Sequence, residues 1–359
     1  MSEKKKIAVG LSGGVDSAVA AYLLKERGYE VIGVTMQTCG ADCSSQSVWR
    51  RREEAAVGDA AEVARTLGIS HVVLDFSGEF RHRVIDYFVE EYLHGRTPNP
   101  CNVCNRFVKW EALLRESARL GAGEIATGHY AKIHRLENGR FSVCRSAADA
   151  KDQTYALYDL TQEQLARTQM PVGDYTKEEI RKIAGELGLP VAAKKDSQDI
   201  CFIPDGDYGT FLEREAKDRL PGPGNFVLED GTVVGRHEGI IHYTIGQRKG
   251  LKIALGRPVF VKKIDFARNE VVLSDNAELF TDHLTAEKIN PMAVEKFCPG
   301  QEFVAKIRYS HRGTRCRISE VSEKGMRIEF EEKVRAVAPG QPVVLYIGDD
   351  VAGGGIIAE

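Results

Sequence analysis

Two kinds of chemistry are written into this chain by residue type and spacing. The first lies in Gly10-Leu11-Ser12-Gly13-Gly14-Val15-Asp16-Ser17, where two glycines and two serines make a turn whose backbone N–H groups can crowd a bound anion without interference from Cβ atoms. Ser12 and Ser17 add hydroxyls and Asp16 a carboxylate beside the same turn, a set suited to a phosphate chain with its Mg2+ ion. The stretch lacks the Gly-Lys-Ser/Thr ending of a Walker loop and is not G-x-G-x-x-G. The second chemistry is that of sulfur. Eight cysteines stand at 39, 43, 101, 104, 144, 201, 298 and 316, and only Cys101 and Cys104 form a C-x-x-C pair. The chain opens Met1-Ser2-Glu3-Lys4-Lys5-Lys6 and runs straight into an apolar stretch, with no room for a signal peptide. Reduced thiols engaged in metal or redox work are therefore expected, rather than a disulfide framework, in a cytoplasmic protein.

The elements that must position these groups follow from periodicity. Ile7 to Leu11 is a short apolar run fit for a buried strand, and Val15, Ala18, Val19, Tyr22 and Leu23 recur at helical spacing, so a strand turns abruptly into a helix at the glycines. Strands are expected at 30–36 and 71–76 and helices at 53–67 and 81–94, an alternation that predicts a parallel sheet covered on both faces with ligands at the carboxyl ends of its strands. Pro98 and Pro100 bar a helix until Cys101, so the two thiols of the C-x-x-C pair can face one point before a helix over 106–120. Glu124 to Lys132 reads as a further strand, Asn138-Gly139 as a hairpin turn, and Thr176 to Glu179 as a capping box. Past Asp205 the helical pattern fades, Pro221-Gly222-Pro223-Gly224 breaks the chain, and short strands, one at 240–244 among them, are expected thereafter. The predicted architecture is α/β: a parallel-sheet nucleotide domain over 1–205, a small central domain over 206–280 and a C-terminal β-barrel over 281–359.

Forty-nine basic residues against fifty-two acidic ones leave a net charge of −3, so a nucleic-acid partner must be met by local basic patches rather than by the total. No apolar run approaches the ~20 residues of a membrane span, and no membrane partner is expected. Cys39 and Cys43, with no third ligand nearby, make a weak metal pair. Cys144, Cys298 and Cys316 fall in strand patterns and read as small apolar fillers.

Ser12-Gly13-Gly14-Val15-Asp16-Ser17 resembles the PP-loop of the ATP pyrophosphatases, which cleave ATP to AMP and pyrophosphate while adenylating a substrate oxygen. Taken with Thr97-Pro98-Asn99-Pro100, Cys104-Asn105, Gly128 to Lys132, Lys151-Asp152-Gln153, Asp196 to Phe202, Gly246 to Leu251 and Gly353 to Ile356, the chain resembles, nearly end to end, the tRNA-specific 2-thiouridylases. The resemblance implies an ATP-dependent tRNA-uridine 2-sulfurtransferase that adenylates the C2 oxygen of a wobble uridine and replaces it with sulfur. It places ATP on Gly10, Leu11, Ser12, Gly13, Gly14, Val15, Asp16, Ser17, Met36 and Gly128. It places tRNA on Asn99, Pro100, Cys101, His129, Lys151, Asp152, Gln153, Arg308, Tyr309 and Gln341. Cys104 matches the attacking cysteine and Cys201 the persulfide carrier, and Asp16 joins them among the catalytic residues. The implied partners are tRNA and an upstream sulfur donor, either a cysteine desulfurase relay or sulfide.

One departure from the family pattern bears on mechanism. Many relatives carry an aspartate directly after Asn-Pro, where this chain has Cys101. Cys101, Cys104 and Cys201 then form a three-thiolate set suited to a 4Fe-4S cluster whose fourth iron is open to hydrosulfide. The alternative keeps a Cys201 persulfide with Cys104 as the resolving thiol. Lys194 and Lys195 are expected to lower the pKa of Cys201, and Arg248, Lys249, Arg308, Arg312 and Arg315 to meet phosphates. Two other classes share some of these features: a PP-loop synthetase acting on a small molecule, and a metal-stabilised RNA-binding module.

Overall fold

The structure is a computed structural model and describes residues 4–40, 43, 47–148, 151–194 and 200–358. The chain divides into two compact units, the first comprising 1–84, 101–205 and 348–352, the second 85–100, 206–347 and 353–359.

In the first unit the strands are β1 (Lys6–Gly10), β2 (Glu30–Gln37), β3 (Ser70–Asp75), β4 (Glu124–Ala126), β5 (Lys132–Arg135), β6 (Phe141–Cys144) and β7 (Thr168–Gln169). Five of them form one parallel sheet in the order β3-β2-β1-β4-β7. Its centre, β1, is wholly apolar inside: Ile7, Ala8 and Val9 are fully buried, as a strand covered on both faces requires. Helix α1 (Val15–Glu26) follows directly, and helix α2 (Val48–Leu67) begins five residues before the expected start. Trp49 to Arg52 therefore belong to its first turns, and Ser47 caps it by accepting from Arg50 N–H at 3.1 Å. The capping box Thr176–Glu179 opens the helix Lys177–Glu186 as its spacing predicts.

Three expectations are corrected here. The 124–132 stretch is not one strand: β4 ends at Ala126 and β5 starts at Lys132, with Gly128 to Tyr130 turned out between them. The expected 106–120 helix starts at Pro100 and runs as Pro100–Val103, a π-helical Cys104–Ala112 and an α-helical Leu113–Arg119. Cys39 and Cys43 are joined in a disulfide, with Cα atoms 5.8 Å apart. A short loop pinned through Thr38 N and Cys39 N to the Glu53 carboxylate at 2.6 and 3.1 Å brings the two thiols within reach.

In the second unit β8 (Gly224–Leu228), β9 (Val233–His237), β10 (Phe260–Asp265) and β11 (Glu270–Ser274) form a sheet in the order β10-β11-β8-β9. The expected strand at 240–244 is instead a 3-10 turn, Ile240–His242, and a helix, Tyr208–Glu215, precedes the sheet. The remaining strands are β12 (Phe280–Pro291), β13 (Glu302–Lys306), β14 (Thr314–Ser322), β15 (Gly325–Arg335), β16 (Pro342–Ile347) and β17 (Asp350–Ile357). They run β12-β15-β14-β13-β16-β17, and β17 pairs back onto β12, closing a six-stranded barrel. Closure removes the exposed edges that an open sheet would present. Cys316 is buried on β14, but Cys298 lies in a turn between β12 and β13, not in a strand.

Candidate active site

At the carboxyl end of β1 the turn Leu11–Gly14 carries the chain into α1. Gly13 has φ +66°, and a Cβ there would stand 2.5 Å from the Ala56 carbonyl oxygen, so both conformation and space demand glycine. The two hydroxyls of the motif hold the loop itself: Ser12 N–H donates to Ser17 Oγ at 3.2 Å, the two Oγ atoms are 3.2 Å apart, and Ser17 Oγ donates to Gly14 O at 3.1 Å. Met36 lies one residue before the end of the neighbouring strand β2, half-buried.

Asp16 is committed more fully than its motif suggests. Its Oδ1 accepts from Tyr130 Oη at 2.6 Å and from Lys177 Nζ at 2.8 Å, and its Oδ2 accepts from the same Nζ at 2.9 Å. The carboxylate read as a Mg2+ partner is thus neutralised by a buried lysine. Lys177 escaped sequence reading because it sits inside the capping box, where a charged residue on the first helical turn is ordinary.

Three consecutive residues tie this loop to the cysteines. Gly128 packs against the start of α1 so tightly that a Cβ would fall 2.6 Å from Ser17 N and 2.7 Å from the Asp16 carbonyl carbon. Tyr130 holds Asp16, as above. Between them, the His129 ring lies 5.3 Å from the Trp110 ring on the π-helical stretch that begins with Cys104. Its Nδ1 meets Thr127 Oγ1 at 2.8 Å, and burial, aided by Lys109, pushes the imidazole down to about 3. The helix itself is pinned by Asn102 Nδ2 to Tyr155 O (3.2 Å), Asn105 Nδ2 to Ala156 O (2.8 Å) and Trp110 Nε1 to Thr168 Oγ1 (2.9 Å).

Cys101 and Cys201 are exposed, and Cys104 is half-buried. Burial, then its neighbour Cys101, leaves the Cys104 thiol raised to about 11, against the pull of Lys109. Burial, then Cys104 and Cys101, pushes Cys201 up to about 12. Cys201 is exposed at the surface, and its two neighbouring sulfurs add to the rise. All three thiols therefore feel one another. Phe202, beside Cys201, is locked in an aromatic trio with Phe80 and Trp49, ring centroids 5.6 to 6.3 Å apart.

The expected activation of Cys201 by Lys194 and Lys195 is corrected. Lys194 Nζ bonds Gly13 O at 2.7 Å and Asp59 Oδ2 at 2.5 Å, and the Cys201 thiol is raised. Lys195 and Asp196 to Asp199 lie outside the described residues. The cation that acts on Cys104 and Cys201 is Lys109, which the spacing gave no reason to single out.

Of the residues matched to tRNA, Gln153 pairs with the Tyr130 backbone, accepting its N–H at Oε1 (2.8 Å) and donating N–H to its O (3.1 Å). Asp152 caps the following turn through Thr154 N and Oγ1 at 3.2 and 2.9 Å, and Lys151 precedes them on the same loop. In the second unit, Gln341 Nε2 donates to Thr97 O at 2.9 Å, holding the segment that carries Asn99 and Pro100. Arg308 Nη1 donates to Arg335 O at 3.0 Å, and Tyr309 is 55% exposed beside it. Arg248, Lys252 and Arg257 line a recess of about 490 Å³ in that unit. Among the described residues, no helix is long and apolar enough to cross a membrane.

Comparison with known proteins agrees with this anatomy. Residues 5–205 match the tRNA methyl transferase HUP domain, 209–275 the tRNA methyl transferase PRC-barrel domain and 281–357 the aminomethyltransferase beta-barrel domain. The chain is 58% identical to tRNA-specific 2-thiouridylase MnmA of Lachnoclostridium phytofermentans, over 99% of this chain and 100% of that protein. It is 51% identical to tRNA-specific 2-thiouridylase MnmA of Clostridium perfringens, over 99% and 98%. Among solved structures, the U34-tRNA thiolase NcsA from Methanococcus maripaludis with its 4Fe-4S cluster aligns at TM-score 0.36 and 19% identity, over 60% of this chain and 67% of that one. On the strength of the end-to-end matches, the chain belongs to the tRNA-specific 2-thiouridylase family.

Proposed function

We propose that the chain replaces the C2 oxygen of the wobble uridine of tRNA by sulfur, using ATP held at the PP-loop and the sulfur chemistry of Cys101, Cys104 and Cys201. The observation that carries this reading is the Gly128-His129-Tyr130 bridge. Three consecutive residues touch the phosphate-binding turn through Gly128 and Tyr130 and the cysteine-bearing helix through His129, which supports the two sites' working on one substrate.

The glycine turn presents its N–H groups and the positive end of α1 to the triphosphate. The C2 oxygen attacks the α-phosphorus and pyrophosphate departs, leaving an adenylated base. Sulfur then attacks C2 and AMP leaves with the original oxygen, so a poor leaving group has become a good one. The base must be extruded from the tRNA before C2 can be reached. Asn99 and Pro100, which lead directly into Cys101, are positioned by sequence to follow it. Magnesium, which the PP-loop family implies, supplies charge neutralisation on the phosphates. Asp16, held by Lys177 and Tyr130, also anchors the start of α1.

The three cysteines fit a 4Fe-4S cluster by donor chemistry, as three thiols that bear on one another's charge, though their sulfurs are not drawn within the 4.8 Å of a single-ion site. Such a cluster would supply an iron position open to hydrosulfide. The third thiol at Cys101 favours this over the persulfide route, in which Cys101 has no part.

Anaerobic purification tests the reading. Brown protein with about four irons per chain, whose thiolation of tRNA in the presence of ATP and sulfide is abolished by Cys101→Ala, is the expected result. Colourless, iron-free protein that thiolates tRNA at the full rate would instead establish the persulfide route. AMP release that needs no tRNA would move the chain to the small-molecule synthetases.

A further inference from the structure

A second group of donors converges in the first unit, on strands the reaction does not use. His134 lies on β5 and Cys144 on its hairpin partner β6, while Asp350 opens β17 directly opposite Cys144. One ligand atom from each, an imidazole nitrogen, Sγ and a carboxylate oxygen, all lie within 4.8 Å of one another. Cys144 Sγ is 3.6 Å from His134 Nδ1, and Asp350 Oδ1 is 2.9 Å from Nε2.

The charges around them call for a cation. Cys144 feels the carboxylates of Asp350, Asp349 and Asp174 and a single lysine, Lys132. Lys132 is already paired with Asp174 at 3.0 Å, and Asp349 has Arg145 at 3.8 Å. Asp350 is left facing an imidazole that is charged only when protonated. Its Oδ1 is buried and accepts no hydrogen bond, so the 2.9 Å contact with Nε2 is not aligned as one. A buried carboxylate oxygen without a donor is costly unless something else meets it.

We propose that His134, Cys144 and Asp350 bind one divalent transition-metal ion, with zinc the ion their nitrogen, sulfur and oxygen donors suit. Zinc takes these three ligand types at about 2.0–2.3 Å in tetrahedral geometry, which sets neighbouring ligand atoms roughly 3–4 Å apart. One donor atom from each already lies within 4.8 Å of the others, and a turn of the exposed His134 ring brings a single nitrogen to face both partners. Water fills the fourth position. The ion ties the β5–β6 hairpin to a strand from the far end of the chain, closing a long loop, and its stabilisation adds to folding. A thiol–imidazole–carboxylate relay is the other chemistry open to these residue types. It needs the imidazole N–H aligned on the carboxylate, and that alignment is missing.

The full-length protein, stripped of metal anaerobically under reductant, is titrated with Zn2+ against a chromophoric chelator and, separately, with Co2+ followed by absorption. Cys101, Cys104 and Cys201 also take metal, so the measurement is made in a Cys101→Ser/Cys201→Ser background. Adding His134→Ala, Cys144→Ser or Asp350→Asn should remove about one equivalent of zinc. Cys144→Ser should also abolish the remaining thiolate-to-cobalt band, and the rise in thermal midpoint with zinc should vanish in His134→Ala. His134 is a surface residue, so its variant keeps the fold, as circular dichroism verifies. Equal zinc uptake by the background protein and its His134→Ala and Asp350→Asn derivatives overturns the proposal. So does rapid alkylation of Cys144 that zinc leaves unchanged, the mark of a relay.

Discussion

Gly128→Ala is the sharpest test of the bridge between the nucleotide loop and the cysteines. The added Cβ would lie 2.6 Å from Ser17 N, 2.7 Å from the Asp16 carbonyl carbon and 3.0 Å from Asp16 O. All three are backbone atoms at the first turn of α1, so no side chain can swing aside. To regain the 3.4 Å of ordinary contact the two segments must part by about 0.8 Å. Overpacking of this kind costs about 1–3 kcal/mol of stability. The displacement falls on the turn that binds phosphate and on Tyr130, whose 2.6 Å bond to Asp16 it stretches. A misplacement near 1 Å is worth about a hundredfold in rate, so turnover should fall by that order while the iron proposed for Cys101, Cys104 and Cys201 stays unchanged. Urea unfolding, nucleotide binding by fluorescence, iron content and single-turnover thiolation report these separately. A Gly128→Ala protein with unchanged urea midpoint and unchanged ATP affinity would refute the close packing on which the bridge rests.

Three other expectations follow from the site. Lys177→Met should destabilise the protein by about 1.5–3 kcal/mol through the lost charge-assisted bonds, and combination with Asp16→Asn should recover part of that in a double-mutant cycle by urea unfolding. His129 is held neutral with its pKa lowered from 6.5 to about 3, so its stabilisation is complete above 6.5 and is lost as pH falls toward 3. The slope is at most about 1.4 kcal/mol per pH unit, and His129→Asn should flatten it in acid-unfolding curves. Lys109→Gln removes the cation that draws Cys104 and Cys201 downward, so alkylation of metal-free protein near pH 8.5 should slow by up to about tenfold, one pKa unit in thiolate.

Much of this was legible in residue order because local physics and global fold agree there. The apolar run before Gly10, the glycines that permit a positive φ and the Thr176 capping box each decide their own conformation, and the parallel sheet follows from their alternation. What sequence left out depends on partners distant along the chain. Lys177 looks like any first-turn lysine until Asp16 is seen beneath it. The barrel's first strand, β12, is a twelve-residue element whose exposed charged positions, Asp282, His283 and Lys288, fall on both sides of the pleat and hide the alternation. The 240–244 stretch has strand composition, yet Gly239 at φ +152° and the Tyr243 N–H to Ile240 O bond turn it into a 3-10 segment. The Cys39–Cys43 pairing contradicts an expectation drawn from compartment alone, which says nothing about two thiols on one short, pinned loop.

The π-helical register of Cys104–Ala112 explains why Lys109 matters and why its spacing concealed it. In an α-helix a residue five positions on lies about 140° round the axis, on another face. In a π-helix the backbone bond runs from i to i+5, and residue i+5 comes to rest one turn above residue i. Lys109 thereby stands over Cys104, while Trp110, one further, turns to the His129 ring and to Thr168. Three roles, the sulfur, the cation that draws it toward the anion and the ring that supports the bridge to the nucleotide loop, are thus assembled on one stretch that an α-helical reading scatters. Reverting it to α geometry, by deleting the exposed residue Glu111, should leave the PP-loop and its ATP affinity unchanged but separate Lys109 and Trp110 from their partners. Thiolation should then fall with Cys104 alkylation, and retention of both would show that the wider turn has no part in the chemistry.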